Sequence, residues 1–428
     1  MTIRTPTDFR SYKTKTMSDS YDVAVVGGGV IGMSCAYYLQ KEGARVLILD
    51  RGRYSEAAST GNAGMIVPSH IVPLSAPGVI SKGIKWLMNP ESPLYIKPSA
   101  SPKFMKWLWL FQKHCTADHV AYSVPILRDL SLLSLNLFDK ICALPGFEDV
   151  GLAHDGLLML HRSEYARKDN LELADLAEDA GLFIQRLDRD ETLELEPAVK
   201  TEITGSVFFK QDASLHPELF LRALEARLIN GGATIVDAEV LSFERSGSEV
   251  KAINTTSGRY TSNQIVLATG SWTPELASKL GQSVAVQPAK GYSITVPVTE
   301  PSLRIPCILA DEKVTITPMP GCIRFGGTLA LQGFDSSIDE RRASPIRRQA
   351  AAYCEGSEAV ATWAGFRPAS PDGLPFIGSV PKYPNVFVAT GHGMMGVTLG
   401  PVTGMLIAEL VSGRATSLNV APFNVDRH

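Results

Sequence analysis

The stretch VVGGGVIGMSCAYYLQKEGARVLILDRG, residues 25–52, decides the fold, because a strand, a glycine-rich turn, a helix and a second strand follow one another within it. Residues 30–42 carry apolar side chains at helical spacing, and Gly43 follows as a common residue at a helix C-terminus. Two strands joined by a helical crossover of this length lie parallel in one sheet. The stretch therefore predicts an α/β fold built on a parallel sheet.

The glycines of this stretch have the spacing of a dinucleotide-binding turn. Gly27 permits the tight turn, Gly29 lets the backbone approach a pyrophosphate, and Gly32 lets helix and strand pack closely. Asp50 ends the second strand, where a carboxylate can accept hydrogen bonds from both ribose hydroxyls. An acidic residue at this point disfavours the 2′-phosphate of NADP but leaves both NAD and FAD open.

Two later segments repeat the strand and glycine-turn pattern. A three-stranded meander leads into QIVLATGSW (264–272), and the chain closes with NVFVATGHGMMGVTLGPVTGMLIAELVSG (385–413). An NAD dehydrogenase of simple build needs neither segment, so they favour a longer, buried flavin. The dinucleotide-binding domain must then be discontinuous. We expect FAD-binding pieces at 18–95, 200–283 and 362–428, substrate-binding pieces at 96–199 and 284–361, and a disordered extension at 1–17.

Composition excludes several classes of function. A net charge of −3 gives no basic field for nucleic acid, and the six cysteines show neither paired nor zinc-like spacing. The chain contains no H-E-x-x-H or G-x-S-x-G motif, so we predict no metal site and no serine nucleophile. The polar N-terminus lacks a secretory signal, and no apolar run is long enough to span a membrane. We therefore expect a cytoplasmic protein.

Residues 73–115 are rich in proline, tryptophan and lysine. One interpretation is a proline-punctuated helical insertion that packs on the core. The other is a lid or a patch that touches the inner face of the plasma membrane peripherally. The sequence leaves both open.

Seven motifs carry a family resemblance. They are GGGVIG (27–32), SEAASTGNAGMIVP (55–68), SAPGV (75–79), IKWL (84–87), KGYSITVP (290–297), WAGFRPASPDGLPFIG (363–378) and ATGHGMMGVTLGP (389–401). In that order they resemble the D-amino acid oxidase superfamily of FAD-dependent oxidoreductases, most closely its bacterial D-amino acid dehydrogenases of the small-subunit type. The resemblance implies non-covalent FAD in a discontinuous Rossmann-like domain and a mixed antiparallel-sheet α+β substrate domain.

The resemblance also implies a set of cofactor contacts, although each small residue could equally serve plain turn geometry. The adenosine half of FAD is expected at Val30, Ile31, Asp50, Arg51 and Val240. The path from the pyrophosphate to the ring is expected along Ala58, Ser59, Thr60, Asn62, Ala63, Gly64 and Met65, closed over by Thr269 and Gly270. The isoalloxazine is expected beside His392, Gly393, Met394, Met395, Gly396, Val397 and Thr398.

The substrate contacts implied by the resemblance are fewer. Arg367 matches the family's carboxylate anchor, and the alternative is an arginine paired with a local carboxylate such as Asp372. Tyr292 is the expected second substrate contact or else an ordinary strand tyrosine. His392 borders the substrate as a general base or orients the flavin ring. Met394 stands where glycine oxidases carry an arginine, which weakens a glycine oxidase assignment.

The resemblance implies oxidation of a small D-amino acid to a 2-oxo acid and ammonia, with the Cα hydrogen leaving as hydride to flavin N5 and no dedicated catalytic acid or base. The resemblance favours a quinone-type electron acceptor. Three alternatives stay open: a D-hydroxyproline or D-proline dehydrogenase, an oxidase that uses O₂, and an FAD-binding protein without turnover.

Overall fold

The structure is a computed structural model, and it describes residues 20–52, 58–81, 94–97, 99, 101–298, 301–354 and 361–428. The expected extension at 1–17 and the IKWL motif lie outside the described residues.

The described chain contains both strands and helices, with runs of consecutive strands at 234–267, 287–331 and 361–390. The strands are β1 (Tyr21–Val26), β2 (Val46–Asp50), β3 (Met65–Ile66), β4 (Leu94–Ile96), β5 (Leu157–His161), β6 (Ile184–Asp188), β7 (Gly205–Phe209), β8 (Ala213–Ser214), β9 (Thr234–Asp237), β10 (Val240–Ser246), β11 (Glu249–Thr255), β12 (Gly258–Leu267), β13 (Gln287–Pro297), β14 (Cys307–Leu309), β15 (Val314–Met319), β16 (Cys322–Leu331), β17 (Ala361–Ala369), β18 (Phe376–Val380) and β19 (Tyr383–Thr390). The helices are α1 (Val30–Lys41), α2 (Pro102–His114), α3 (Ala117–Cys142), α4 (Glu164–Asp179), α5 (Arg189–Leu195), α6 (Pro217–Asn230), α7 (Thr273–Ser278), α8 (Glu340–Tyr353) and α9 (Gly400–Val411).

The first sheet contains the strands of the opening stretch. Its parallel part runs β9, β2, β1, β12, β19, while β10 and β11 extend it as the predicted meander and β18 pairs antiparallel with β19. One apolar cluster joins it to α1, α6 and α9, and another covers its opposite face. A parallel sheet covered on both faces has nearly continuous apolar strands, which explains the runs VAVV and VLIL.

The C-terminal helix α9 lies directly on α1, on the same face of the first sheet. A Cβ on Gly404 would lie 2.4 Å from the carbonyl oxygen of Ser34, and one on Gly400 would lie 3.0 Å from a methyl group of Val30. The two backbones therefore approach closely only because α9 carries glycine at these positions. This packing brings the last part of the chain to the turn at residues 27–32.

The second sheet is larger and mostly antiparallel. Its order is β17, β13, β16, β15, β14, β5, β7, β6, with β4 added beside β16. The pairs β5 with β14 and β4 with β16 are parallel, and the remaining pairs are antiparallel. Helix α8 packs on β13 and β16. The predicted fold class, a Rossmann-like α/β domain with a mixed-sheet substrate domain, is confirmed.

Strand pairing corrects three of the expected domain boundaries. Strand β4 pairs with β16 in the second sheet, although the first expected FAD-binding piece runs to residue 95. Residues 205–209 were assigned to the FAD-binding pieces, yet β7 lies between β5 and β6 in the second sheet. Strand β17 begins at residue 361 and is the edge strand of the same sheet, although the boundary at 362 placed it in the first. The apolar run of β7 is buried throughout, so its sequence resembles a strand of either sheet.

Helix α2 lies within residues 73–115, the stretch for which the sequence leaves two interpretations open. Phe104, Trp107 and Leu110 are buried, and the Trp107 indole donates to the carbonyl oxygen of Ala369 at 3.0 Å. This face packs on the second sheet, in agreement with the interpretation as a core-packing insertion. The opposite face of the helix exposes Met105 and Trp109. Among the described helices, none combines the length and apolarity needed to cross a membrane.

Candidate functional site

The turn between β1 and α1 has room for backbone only. Gly27 has a φ of +113°, and a Cβ there would lie 2.4 Å from the carbonyl oxygen of Ala268. A Cβ on Gly32 would lie 1.9 Å from the carbonyl oxygen of Gly27. Both obstacles are backbone atoms, which cannot rotate away. Gly27 is therefore required by the contact with Ala268, which follows β12, and Gly32 by the contact between α1 and the turn itself.

The N-terminus of α1 opens in front of the turn. Its N-cap residue, Gly29, offers no side-chain cap, and the first helical turn contains no acidic residue. The N–H of Val30 donates to the Ser59 hydroxyl oxygen at 3.0 Å. Unpaired N–H groups and the positive end of the helix dipole attract an anion. This arrangement suits a pyrophosphate, with the Ser59 hydroxyl beside it.

Asp50 lies at the end of β2, next to the turn. Its carboxylate accepts hydrogen bonds from the N–H of Gly28 at 2.5 Å and from the N–H of Gly52 at 3.0 Å. Burial raises the pKa of Asp50, and the two N–H donors oppose that rise. A half-buried carboxylate at the end of the second parallel strand is in the position that binds ribose hydroxyls in dinucleotide-binding folds.

A cleft of about 430 Å³ begins at this turn and reaches β17 of the second sheet. Its walls include seventeen of the residues predicted for cofactor or substrate. These are Gly27, Gly29, Val30, Ile31, Asp50, Arg51, Ala58, Ser59, Asn62, Val240, Thr269, Gly270, Arg367, His392, Gly393, Gly396 and Val397. Residues far apart in the sequence thus meet in one cavity.

Other predicted residues do not line the cleft. They are Gly32, Thr60, Ala63, Gly64, Met65, Tyr292, Met394, Met395 and Thr398. The Thr398 hydroxyl, for example, donates to the carbonyl oxygen of Met65 and accepts from the N–H of Val67. It therefore connects β3 to the return loop, which is the segment 391–399 between β19 and α9. Met394 is half exposed, at 49%.

A buried arginine that the sequence reasoning missed holds the loop at residues 58–64. Arg324 of β16 donates through Nη1 to the carbonyl oxygens of Thr60 (2.7 Å) and Asn62 (2.9 Å). Between these two residues, a Cβ on Gly61 would lie 2.1 Å from the ring of Trp363. The second sheet therefore fixes a loop that lines the first domain's cleft. The motifs gave no signal for Arg324, because its role depends on which sheet face it occupies.

Arg367 enters the cleft from β17. Its Nη1 donates to the carbonyl oxygen of Thr328 at 2.7 Å. Asp372, the alternative partner, instead receives two hydrogen bonds from Arg427, at 2.7 and 3.0 Å, and lies 3.2 Å from His428. Within the part of the chain that the structure describes, no carboxylate pairs with Arg367. Burial lowers the pKa of Arg367 to about 10, which leaves a cation without an anionic partner in the cleft.

Tyr292 lies away from the cleft, on the other side of the second sheet. Neighbouring Gly291 faces Arg367, because a Cβ there would lie 2.0 Å from the guanidinium. Successive side chains of a strand point to opposite faces, so Tyr292 faces away. It is 1% exposed and shares an apolar cluster with Ile346 and Tyr353 of α8, and this burial raises its pKa. The structure thus brings Gly291, and not Tyr292, next to Arg367.

His392 lines the cleft on the return loop between β19 and α9. Its Nε2 lies 2.9 Å from the Thr403 hydroxyl oxygen, and the residue is 3% exposed. Burial lowers the pKa of His392 to about 3, so the ring is neutral at physiological pH. A neutral imidazole fixed by Thr403 can position a neighbouring group, but its low basicity does not suit a general base that works near neutral pH.

An aromatic wall beside Arg51 also escaped the sequence reasoning. The Arg51 guanidinium lies 4.5 Å from the ring centroid of Trp272, which stacks on Phe334 at 5.0 Å and meets Phe366 edge to face. Trp272 and Phe366 both line the cleft. The motif LATGSW contained the signal, since Trp272 follows the predicted contacts Thr269 and Gly270 by only a few positions.

The residues present fit FAD. The glycine turn and the start of α1 suit the pyrophosphate, and Asp50 suits the ribose, as either NAD or FAD would require. The cleft then continues along the loop at 58–64 to Arg367 and the return loop, which gives room for a longer molecule. Within the described ranges no cluster of three or more His, Cys, Asp or Glu residues could hold a metal ion.

Comparisons with known proteins agree with this fit. The family model described as DAO, FAD dependent oxidoreductase, matches residues 22–410. The D-amino acid dehydrogenase of Vibrio vulnificus (strain CMCP6) is 33% identical over 401 residues, covering 91% of this chain and 95% of the relative. That of Bradyrhizobium diazoefficiens is 32% identical and covers 95% and 98%. The crystal structure of glycine oxidase from Geobacillus kaustophilus superposes with a TM-score of 0.78 at 28% identity, covering 96% and 99%. The predicted resemblance is confirmed, and the chain belongs to the DAO family of FAD-dependent oxidoreductases.

Proposed function

We propose that this FAD-dependent oxidoreductase dehydrogenates a D-amino acid at the bond between Cα and the amine. The imino acid formed is then hydrolysed by water to a 2-oxo acid and ammonia. The observation that carries the proposal is the Arg367 guanidinium, which lies in the cleft without a carboxylate partner among the described residues. The curated relatives named D-amino acid dehydrogenase support the same substrate class.

Arg367 binds the substrate carboxylate in this proposal. Its Nη1 already donates to the carbonyl oxygen of Thr328, so the remaining N–H groups are available for a bidentate pair with the carboxylate. Fixing the carboxylate fixes the position of Cα relative to the cofactor. Bound FAD supplies the two-electron acceptor. Correct orientation of the reacting groups contributes several kcal/mol to catalysis, which is the main contribution expected from this chain.

No side chain of the cleft is assigned as a dedicated base. His392 is neutral and has a pKa of about 3, so it gains no proton near neutral pH. The substrate must therefore lose its ammonium proton on binding. Pairing of the carboxylate with Arg367 favours this loss, because the carboxylate then stabilises the ammonium charge less and the desolvated cleft disfavours the charged form.

Substitution of Arg367 tests the proposal. Arg367→Ala leaves a substrate carboxylate unpaired in the cleft, which costs about 3 to 5 kcal/mol and corresponds to a rise in KM of roughly a hundredfold or more. Arg186→Ala is the matched control, because Arg186 is an exposed arginine that pairs with Asp175 and Glu178 and does not line the cleft. Flavin content should be unchanged in both variants. An unchanged KM in Arg367→Ala at full flavin content would overturn the assignment.

Substrate identity is tested by anaerobic bleaching of the flavin. The proposal expects bleaching by D-amino acids and not by their L-enantiomers. Bleaching by D-proline or D-hydroxyproline alone would assign the protein to that alternative. Bleaching by L-enantiomers would contradict the stereochemistry, and a flavin that stays oxidised with every compound would identify an FAD-binding protein without turnover.

The electron acceptor in this proposal is a membrane quinone, reached through the exposed face of α2. This α2 face consists of Lys103, Met105, Lys106, Trp109 and Lys113, and Met105 and Trp109 are 54% and 60% exposed. Apolar side chains ringed by lysines suit an anionic lipid surface. The buried side of the same helix bonds β17, the strand that carries Arg367.

Vesicle sedimentation and acceptor assays test this part. The protein should sediment with phosphatidylglycerol-containing vesicles at low salt, remain unbound with phosphatidylcholine alone, and bind less as Trp109→Ala. Phe183→Ala is the control, since Phe183 is 69% exposed but lies outside the α2 face. Equal binding of Trp109→Ala and the wild type would contradict the surface. Stoichiometric peroxide under air without activity towards a quinone analogue would make the protein an oxidase.

A further inference from the structure

We propose that Thr328, at a β-bulge in β16, is a positioning residue that aims Arg367 at the substrate carboxylate. The inference rests on the proposed function. Tyr292 of β13 is opposite Gly327 of β16, whereas Lys290 is opposite Ala330. Two steps along β13 therefore correspond to three along β16, and the extra residue lies at Thr328 or Leu329. Bulges occur near active sites, where they redirect a group.

Thr328 has a backbone conformation that its side chain disfavours. Its φ is +60°, and a β-branched residue in that region is a genuine outlier. Local strain of this kind persists where the surrounding structure compensates it, and it concentrates at functional sites. Here the Thr328 hydroxyl donates to the carbonyl oxygen of Arg342, in the first turn of α8, at 3.2 Å. This hydrogen bond holds the bulge in its strained form.

The strained form turns the Thr328 carbonyl towards the anchor. That carbonyl oxygen accepts from Arg367 Nη1 at 2.7 Å. On the neighbouring strand, Gly291 leaves the space that the guanidinium occupies, since a Cβ there would lie 2.0 Å from Nη1. The carbonyl group of Thr328 and the space beside Gly291 together fix the plane of the Arg367 guanidinium. Because Thr328 uses only Nη1, the rest of the guanidinium is presented to the cleft.

Three substitutions at Thr328 separate positioning from simple packing. Thr328→Val keeps the shape but loses the hydroxyl bond to Arg342, so the residue should relax to negative φ and turn its carbonyl away. Thr328→Gly adopts positive φ without strain, and Thr328→Ser keeps the hydroxyl. We expect Thr328→Val to raise KM about tenfold with little change in kcat, whereas the serine and glycine variants stay within about threefold of the wild type.

The holoenzyme also gives a readout that needs no turnover. Trimethylacetate is a carboxylate without an α-hydrogen, and its binding can be followed by the change in flavin absorbance. Its Kd should rise in Thr328→Val in parallel with KM, while flavin content remains that of the wild type. In the Arg367→Ala background, Thr328→Val should have no further effect, because the anchor that it positions is gone.

The failure of this inference is distinguishable from failure of the proposed function. A wild-type protein that neither oxidises D-amino acids nor binds trimethylacetate contradicts the proposed function. If the wild type does both and Thr328→Val matches it in KM and Kd, the inference is wrong, whatever happens to the melting temperature. Should Thr328→Val fail to fold, Gly291→Ala replaces it: a methyl group in the guanidinium space should raise KM and Kd alike, and unchanged values contradict the inference.

Discussion

The glycine turn at residues 27–32 and the proposed carboxylate anchor around Arg367 are built from different parts of the chain. The turn presents backbone N–H groups, and it requires the absence of a Cβ at fixed positions. The anchor combines a side chain of β17, a carbonyl group of β16 and an empty space on β13. Its components lie near residues 291, 328 and 367, with no fixed spacing between them.

This difference determines how reliably the structure of each region can be predicted from the sequence. A local backbone motif is fully contained in a short stretch of sequence. A site that spans three strands depends on their register, and a shift of one residue moves every side chain to the other face. The KGYS motif demonstrates this, since Gly291 faces the anchor and Tyr292 faces the opposite core. The bulge at Thr328 adds a second shift within the same set of strands.

The largest expected effect is on the glycine turn. Gly32→Ala places a Cβ 1.9 Å from the backbone oxygen of Gly27, and the turn has no side chain that could move instead. The variant should purify without bound flavin, or fail to fold. Gly378→Ala is the matched control, because its Cβ would lie 3.6 Å from a methyl group of Val425, an ordinary contact. Flavin absorbance relative to protein absorbance checks both, and normal flavin content in Gly32→Ala would refute the turn's role.

The next effect is smaller and concerns the pH dependence of the free energy of unfolding, through His392 in the cleft. The pKa of His392 is about 3 in the folded protein against 6.5 when solvated. The lowered value means that the unfolded chain takes up the proton first, so stability is present above pH 6.5 and is lost as pH falls towards 3. The loss is about 1.4 kcal/mol per pH unit, or about 3 kcal/mol at pH 4.5.

His392→Gln should remove that loss. Between pH 6.5 and 4.5 its free energy of unfolding should fall by less than that of the wild type, as measured by urea denaturation at each pH. Because His392 is not assigned as a base, the pH profile of kcat/KM should keep its shape. A bell-shaped profile that loses its acidic limb in His392→Gln would reinstate a general base.

A still smaller effect is expected at the contact between the two regions. Gly61→Ala places a Cβ 2.1 Å from the Trp363 ring, and overpacking of this kind costs about 1 to 3 kcal/mol. Weaker FAD binding and a lower melting temperature are expected. In a Trp363→Ala background the ring is absent, so Gly61→Ala should cost much less there. Equal losses in both backgrounds would show that the two residues are not coupled.

The smallest effect is expected at Tyr292. Tyr292→Phe removes a buried hydroxyl on the face away from Arg367, so KM should change by less than about twofold and stability by less than about 1 kcal/mol. Steady-state kinetics with the best substrate checks the first value. A tenfold rise in KM would restore Tyr292 as a substrate contact and contradict the register of β13.

The sequence predicted the α/β fold class and a dinucleotide site, because the turn and Asp50 form a local pattern, and the seven motifs predicted the family and FAD. It misplaced β7, whose buried apolar residues do not reveal which sheet they join. It could not identify Arg324 or Trp363, which hold the loop at 58–64 from the other domain. It also could not show that Asp372 pairs with Arg427, which leaves Arg367 without that partner. These features arise from tertiary pairing and have no signature in residue spacing.

The central claim is that the cationic fork of Arg367 presents the carboxylate of an amino acid to bound FAD. Anaerobic titration of the holoenzyme with its best D-amino acid and with the carboxamide of the same compound tests it most directly. We expect the acid to bleach the flavin, and the amide, which has no negative charge for Arg367, to do so poorly or not at all. Equal bleaching by the two compounds would contradict it.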